Sequence, residues 1–349
     1  MAPVKVRFGD SAIAIVAEEV ALLGCSRALV LSTPQQADTA RAFAEAIGDR
    51  VAGVFTQATM HTPVDVTKQA LAAVAALRAD CVVSVGGGST TGLGKAIALH
   101  TDLPQIVVPT TYAGSEATAI LGQTENGRKS TITDPRVQPE VILYDAELVR
   151  TLPVAMTVAS GLNAMAHAAE ALYARDRNPL STLLAREGLA ALVNSLPAVV
   201  RNPDDLLARS ESQYGAWLCG TVLGQVGMAL HHKLCHTLGG TFDLPHAETH
   251  AIILPHAIAY NAVAVPDLLA PLNDILGGET LHGFASSLGA PLALRDIGLA
   301  EGDLDKAALI ATENPYWNPR PVERDAIRAL LQAAWDGTPP VVESAGRRV

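Results

Sequence analysis

A chain of 349 residues is too long for one ordinary hydrophobic core, so the length points to two domains, each able to bury a substantial apolar interior. It is 49% apolar but only 4% aromatic, so the cores must be built mainly from Ala, Val, Leu and Ile, a composition that suits helices and parallel strands. With 25 basic residues against 35 acidic ones and no Lys/Arg run to track a duplex, nucleic acid is excluded as a partner, and an anionic ligand must be drawn in by local groups.

The start, MAPVKVRFGD, lacks a charged segment followed by an apolar one, so no secretory signal is expected. Polar residues interrupt the apolar stretches well short of the roughly 18 to 20 that a membrane span needs. Cys25, Cys81, Cys219 and Cys235 lie in apolar surroundings without CxxC spacing, which reads as reduced thiols in a cytoplasm rather than a disulfide or zinc framework.

Short Val- and Ile-rich runs then alternate with Ala-rich amphipathic segments. The runs are ALVLS from Ala28, VAGVF from Val51, CVVSV from Cys81, QIVVP from Gln105 and VILYD from Val141. Helices are expected over 34–47, with Pro34 in a first turn, and over 65–79. This βαβα order predicts a Rossmann-like α/β domain with a parallel sheet, 1–153. Beyond Pro153 the strand signals vanish, and an all-α domain is expected over 154–349. Its connections are marked by Asn178-Pro179, Asn202-Pro203, Gly239-Gly240, Pro266 and Gly277-Gly278. The tail SAGRR is expected to fray.

Two loops at the carboxyl edge of this sheet have the chemistry of an anion site. CVVSV runs directly into Gly86-Gly87-Gly88-Ser89 and then a helix, where backbone amides and a helix N-terminus can approach phosphate. The spacing is not GxGxxG and the strand is not the first, so this is not a standard Rossmann domain. The next strand ends in Pro109-Thr110-Thr111-Tyr112-Ala113-Gly114-Ser115-Glu116, whose hydroxyls and amides can hold a ribose and a pyrophosphate.

The second domain concentrates imidazoles. Asn163 and His167 are four apart on one helix face, as are His232 and His236 on another, and His246 opens a further helix with His250 four beyond it. Six of the ten histidines fall between His231 and His256, more than core packing explains. Such a set is either a zinc or iron(II) site or a pocket of hydrogen-bond donors and proton carriers. An amide oxygen at Asn163 is a poor transition-metal ligand.

With these motifs in place, nearly the whole chain resembles the iron-containing (group III) alcohol dehydrogenase family, whose fold is dehydroquinate synthase-like. The resemblance implies that Gly86, Gly87, Gly88 and Ser89 form the phosphate loop. Pro109-Thr110-Thr111 with Gly114-Ser115-Glu116 would form the nicotinamide-side loop, and Lys129, near Asp134-Pro135, would touch the cofactor ribose. The family's metal-ligand positions fall on Asn163, His167, His232 and His246, and His236 falls on the histidine near the nicotinamide.

Three departures carry information. The Asp of the family's GGGSxxD loop is Gly92, the PTT loop is one residue shorter, and the ligand Asp is Asn163. All three are similar to the family's maleylacetate reductase branch, as are QYGAWLCGTVLG, HHKLCHTLGG, FDLPHAETHA and NPYWNP. The resemblance therefore implies NAD(P)H-dependent reduction of the conjugated double bond of a dicarboxylate, maleylacetate, to 3-oxoadipate in aromatic-compound degradation. His236, His246, His232, Asn163 and His167 would be the catalytic residues, with His236 or His246 as proton donor, His167 orienting the others and no metal required. Thr33 stands where relatives often place an Asp, so NADPH is expected to be accepted beside NADH. Arg320 is a candidate substrate grip, whereas Lys233 is read as a solvated surface group. A homodimer is expected. The alternative is a metal-dependent (iron or zinc) alcohol or polyol dehydrogenase of the same family.

Overall fold

A computed structural model describes residues 4–9, 11–125 and 128–340. The side chains of residues 125, 128 and 129 lie outside the described set, and with them the contact expected of Lys129. The described residues form eight strands: β1 (Lys5–Phe8), β2 (Ala28–Leu31), β3 (Val51–Phe55), β4 (Cys81–Gly86), β5 (Gln105–Pro109), β6 (Ile120–Glu125), β7 (Arg128–Thr133) and β8 (Val141–Tyr144). Six make one all-parallel sheet in the order β1-β8-β5-β4-β2-β3, while β6 and β7 pair as an antiparallel hairpin.

Helices α1 (Ala12–Leu22), α2 (Ala37–Ile47), α3 (Val64–Leu77), α4 (Gly88–Thr101) and α5 (Ala146–Arg150) alternate with the strands. Successive strand residues point to opposite faces, and both faces are covered. Ala28, Val30, Val83, Val85, Ile106 and Val108 pack with Val16, Val20, Phe43 and Ile47 of α1 and α2. Leu29, Leu31 and Val82 pack with Ala70, Val74, Leu93 and Ile97 of α3 and α4 on the other side. A strand buried on both faces has no polar alternation, which is why the sequence shows continuous apolar runs.

Two elements differ from the sequence expectation. VKVRF carries two basic residues, yet forms edge strand β1, because Lys5 and Arg7 both pair with the buried Glu19 of α1, at 2.7 and 3.0 Å. The hairpin β6–β7 was not among the expected strands; it is polar, and besides its own pairing it makes a single bridge, from Thr124 to Pro63. The helix expected from Pro34 opens as a 3-10 turn, Pro34–Gln36, with the proline at its start.

This first unit runs to Leu152 and also takes in Asp204–Gln213. The reason is local: buried Arg209 donates to the carbonyls of Arg150 and Leu152 at 3.2 and 3.1 Å, and Gln213 donates to the carbonyl of Asp145 at 3.2 Å.

From Pro153 the described elements are all helical: α6 (Val154–Ala171), α7 (Pro179–Arg201), α8 (Leu206–Leu223), α9 (Leu230–Phe242), α10 (His246–Ala262), α11 (Pro266–Ile275), α12 (Leu281–Ser287), α13 (Leu304–Thr312) and α14 (Arg324–Asp336). Asn178 caps α7 with a reciprocal capping box ahead of Pro179. Gly239-Gly240, expected to be a connection, lies within α9, and the chain instead turns at Asp243, which has φ 53°. The core of this unit joins Leu234 and Leu238 of α9, Ile252 and Ile253 of α10, Leu304 of α13, and Ile327 and Leu331 of α14. Among the described helices, α7 alone is long and apolar enough to cross a membrane. It packs on α6, carries Arg186 and Glu187 in its middle and buries Leu189, Leu192 and Leu196 as a core helix does.

Candidate functional site

At the carboxyl end of β4, Gly86 to Gly88 turn the chain into α4, with Gly87 as the helix cap. Side chains are excluded here by contact. A Cβ on Gly86 would collide with Thr90 Oγ1 and stand 2.9 Å from Gln36 Oε1, and one on Gly87 would meet Thr111 Cγ2 at 2.7 Å. The first amides of a helix have no intrahelical acceptor and carry partial positive charge, so this bare turn is a cradle for an anion. Thr110 continues the turn: its N–H donates to the Gly86 carbonyl at 3.1 Å, and its hydroxyl accepts from Gln36 Nε2 at 2.8 Å. Ser115 Oγ and Thr90 Oγ1 are buried without a partner, two hydroxyls that a polar ligand would satisfy. Beside the loop is a cavity of about 400 Å³ lined by Thr33, Pro34, Gln57, Thr59, Met60 and Ser89 among others, none of them acidic. The Gly92 departure also has a physical reason, because Thr62 Oγ1 occupies the space a side chain there would need.

Lys95, which the sequence reading did not single out, holds the neighbouring loop. Its buried ammonium donates to the carbonyls of Ser115, Thr118 and Ile120 at 2.6, 2.6 and 2.9 Å and to Thr118 Oγ1 at 2.9 Å. Burial pulls Lys95 down to about 7, and the Glu116 carboxylate pulls it back up. Glu116 is itself buried and accepts from Tyr144 OH at 2.7 Å.

In the helical unit, α6, α9 and α10 bring the histidines together. His167 Nδ1 faces His232 Nε2 at 2.9 Å, and His232 Nδ1 faces Glu170 Oε2 at 2.7 Å. The rings of His232 and His236 are 6.0 Å apart, and those of His246 and His250 are 4.3 Å apart. His250 Nδ1 in turn meets His231 Nε2 at 3.0 Å, with Cys235 Sγ 3.6 Å from that same nitrogen. Asn163 is buried and its Oδ1 has no partner. Burial, and then the surrounding imidazoles, push His231 and His250 well down, so both are neutral.

Three participants escaped the sequence reading. Glu170 sits three residues after His167 and seven after Asn163, on the same face of α6, a signal legible from spacing alone. Tyr316 binds His236 Nδ1 through its hydroxyl at 2.9 Å, and no spacing rule links residues 80 apart. His231 adjoins His232 in sequence yet faces His250 and Cys235. The basic candidates are held by backbone: Lys233 donates to the Glu313 carbonyl at 3.0 Å. Arg320 stacks over the Tyr260 ring at 4.0 Å and donates to its carbonyl.

Further along α10, His256 is buried 6.3 Å from the His282 ring, and burial pushes it down to about 4. The unfolded chain, with a value near 6.5, therefore binds this proton first, and folding loses stability as pH falls from 6.5 towards 4. We expect His256 to remove about 3 kcal/mol over that window. Urea midpoints at pH 7 and pH 4.5 for the protein and for His256→Gln check this: a pH dependence equally steep in both would exclude His256 as a source.

The donor set at Asn163, His167, His232 and His246 is wholly neutral. The imidazole nitrogen that His232 would offer to a cation is already engaged with His167 Nδ1, so a proton occupies the line between them. Without an anionic ligand, and with His232 and His167 turned to each other, the set fits a tightly held dication less well than one that includes a carboxylate.

Family models describe the same two segments. Residues 3–146 match the model described as iron-containing alcohol dehydrogenase, and residues 157–335 match the C-terminal model of the Fe-containing alcohol dehydrogenase family. The chain is 62% identical over 342 residues to a maleylacetate reductase of Rhizobium sp. (strain MTP-10005), covering 97% of each chain. It is 52% identical to a maleylacetate reductase of Burkholderia cepacia over 96% of this chain and 97% of that one. The crystal structure of the maleylacetate reductase from Agrobacterium tumefaciens superposes with a TM-score of 0.94 at 62% identity, covering 97% of this chain and 98% of that one. The chain belongs to the iron-containing alcohol dehydrogenase family and is an oxidoreductase.

Proposed function

We propose that this oxidoreductase uses NADH to reduce the conjugated carbon–carbon double bond of maleylacetate, giving 3-oxoadipate within the degradation of aromatic compounds. One observation carries the reading: the cluster centred on His232 keeps its family's imidazoles but places the neutral carboxamide of Asn163 where an anionic ligand would serve a metal. The identity to reductases of that substrate supports it.

The reduced nicotinamide supplies the hydride, which adds to the alkene carbon β to the ketone. The π electrons move onto the ketone oxygen as an enolate, and a proton then goes to the α carbon. Hydrogen-bond donors suffice to stabilise such an enolate without a Lewis acid. Asn163 serves here, since a half-turn of its carboxamide exchanges the unpartnered oxygen for an NH2 donor. His246 holds the carbonyl or a carboxylate, while His232, engaged on both nitrogens by Glu170 and His167, orients His167 beside it. His236, braced by Tyr316, supplies the proton, with His246 the second candidate for that role.

Gly86 to Ser89 would cradle the pyrophosphate, with Thr110, Thr111 and Ser115 as further partners. Gly86→Ala is expected to raise the NADH dissociation constant roughly 10- to 100-fold through strain at the turn. Fluorescence titration reads this, and an unchanged constant would remove the loop from the cofactor site. Thr33 lines a cavity without a carboxylate to repel a 2′-phosphate, so NADPH is used as well.

The deciding assay is oxidation of NADH, and in parallel of NADPH, by chelator-treated protein given maleylacetate, with elemental analysis of the same sample. Full activity with far less than one equivalent of metal is expected. Activity that disappears on chelation and returns with iron or zinc would instead make the protein a metal-dependent dehydrogenase. A homodimer in a cytoplasmic compartment completes the reading, and sedimentation velocity tests the assembly.

A further inference from the structure

We propose that Glu170 is the positioning residue that sets the tautomers of His232 and His167, and so decides which imidazole nitrogens face the substrate. The inference deepens the reading of this cluster as a hydrogen-bonding pocket and rests on it.

Glu170 has no exposed surface, and every group around it donates. Its Oε1 accepts from the backbone N–H of His231 at 2.7 Å and from Tyr173 OH at 3.3 Å. Its Oε2 accepts from the backbone N–H of Ala229 at 2.9 Å, at the start of α9. The Tyr173 hydroxyl is oriented in turn: Asn261 Nδ2 donates to its oxygen at 3.1 Å, leaving its proton for Glu170. Asn261 is fixed by a reciprocal amide pair with Asn318, at 2.8 and 2.7 Å, and Asn318 Oδ1 also accepts from the backbone N–H of Leu230 at 3.3 Å.

With donors on both oxygens, Glu170 acts only as an acceptor, so the 2.7 Å contact to His232 is an Nδ1–H of the imidazole. A neutral ring with its proton on Nδ1 has a lone pair on Nε2. That nitrogen lies 2.9 Å from His167 Nδ1, which must then carry the proton between them. His167 then has its lone pair on Nε2. With both rings neutral, one carboxylate determines both tautomers: His232 has both nitrogens engaged and His167 keeps an acceptor at Nε2, which leaves proton donation to His236 or His246.

Glu170→Gln reverses the logic. Its NH2 group can donate to His232 Nδ1, which moves the ring proton to Nε2, and His167 must then accept on Nδ1 and carry its own proton on Nε2. Long-range ¹H–¹⁵N correlation spectra of the full-length protein, with each ring assigned by substitution, report these states directly. The expected result is Nδ1–H for both rings in the unaltered protein, Nε2–H for both in Glu170→Gln, and Nδ1–H retained in Glu170→Asp. In Glu170→Gln, kcat for maleylacetate falls roughly 10- to 100-fold while the NADH dissociation constant stays within twofold, and Glu170→Asp recovers part of the loss.

His232 found as the Nε2–H tautomer in the unaltered protein overturns the proposal. So does a folded Glu170→Gln variant with unchanged tautomers or an undiminished kcat. If Glu170→Gln does not fold, the spectrum of the unaltered protein decides alone. Inactivity of the unaltered protein towards maleylacetate would sink the substrate reading, and the tautomer spectra would still decide the role of Glu170.

Discussion

The His236→Ala variant is expected to lower kcat for maleylacetate by about 10²- to 10⁴-fold, the usual contribution of a positioned general acid, with NADH affinity unchanged. The argument starts from the tautomers of the buried pair. Glu170 directs the proton of His232 inward, and His232 does the same to His167, so neither neutral ring presents an N–H to the enolate. His236, one turn beyond His232 on α9, meets the hydroxyl of Tyr316 through its Nδ1. A hydroxyl can accept as readily as it donates, so His236 can exchange its proton where a carboxylate-bound imidazole cannot. Single-turnover measurement isolates the chemical step. If His236→Ala keeps kcat within threefold and His246→Ala loses it, the donor is His246; if both retain turnover, the proton comes from neither imidazole.

The Asn163→Asp variant is expected to change both the substrate and the metal chemistry of the site. An aspartate about 5 Å from a substrate carboxylate, at an effective dielectric near 20, repels it by about 3 kcal/mol, which corresponds to a rise in KM of roughly 100-fold. The same substitution adds the anionic ligand missing from the imidazole set, so zinc or iron should be retained through dialysis at close to one equivalent. KM for maleylacetate and metal content by elemental analysis are independent readouts. A KM unchanged by Asn163→Asp would place the substrate's carboxylates away from α6, and a variant still metal-free would show that geometry, rather than charge, excludes the cation. The comparison is informative because the two side chains are nearly isosteric and the position is buried.

Much of the molecule was legible in the residues. Strands β2, β4, β5 and β8 are buried on both faces, so each is a largely apolar run, and the run itself is the signal. The bare turn at Gly86 and Gly87 announces itself because nothing larger fits. The i, i+4 spacing of Asn163 with His167, and of His232 with His236, placed each pair on one helix face before any coordinates. Even Glu170 lay within reach of that rule.

What the tertiary structure decided is of a different kind. Edge strand β1 depends on two cations meeting Glu19, and the place of Asp204–Gln213 in the first unit depends on Arg209 finding backbone carbonyls. Periodicity carries no information about such partners, because it reports which face a residue occupies and not what lies opposite. The same limit applies to the imidazoles. Composition and spacing establish that histidines cluster, and Asn163 that the set lacks an anion. Which nitrogen of each ring holds the proton follows only from partners 62, 65 and 80 residues apart in sequence, brought within hydrogen-bond distance by the packing of α6 and α9 against α10 and by Tyr316.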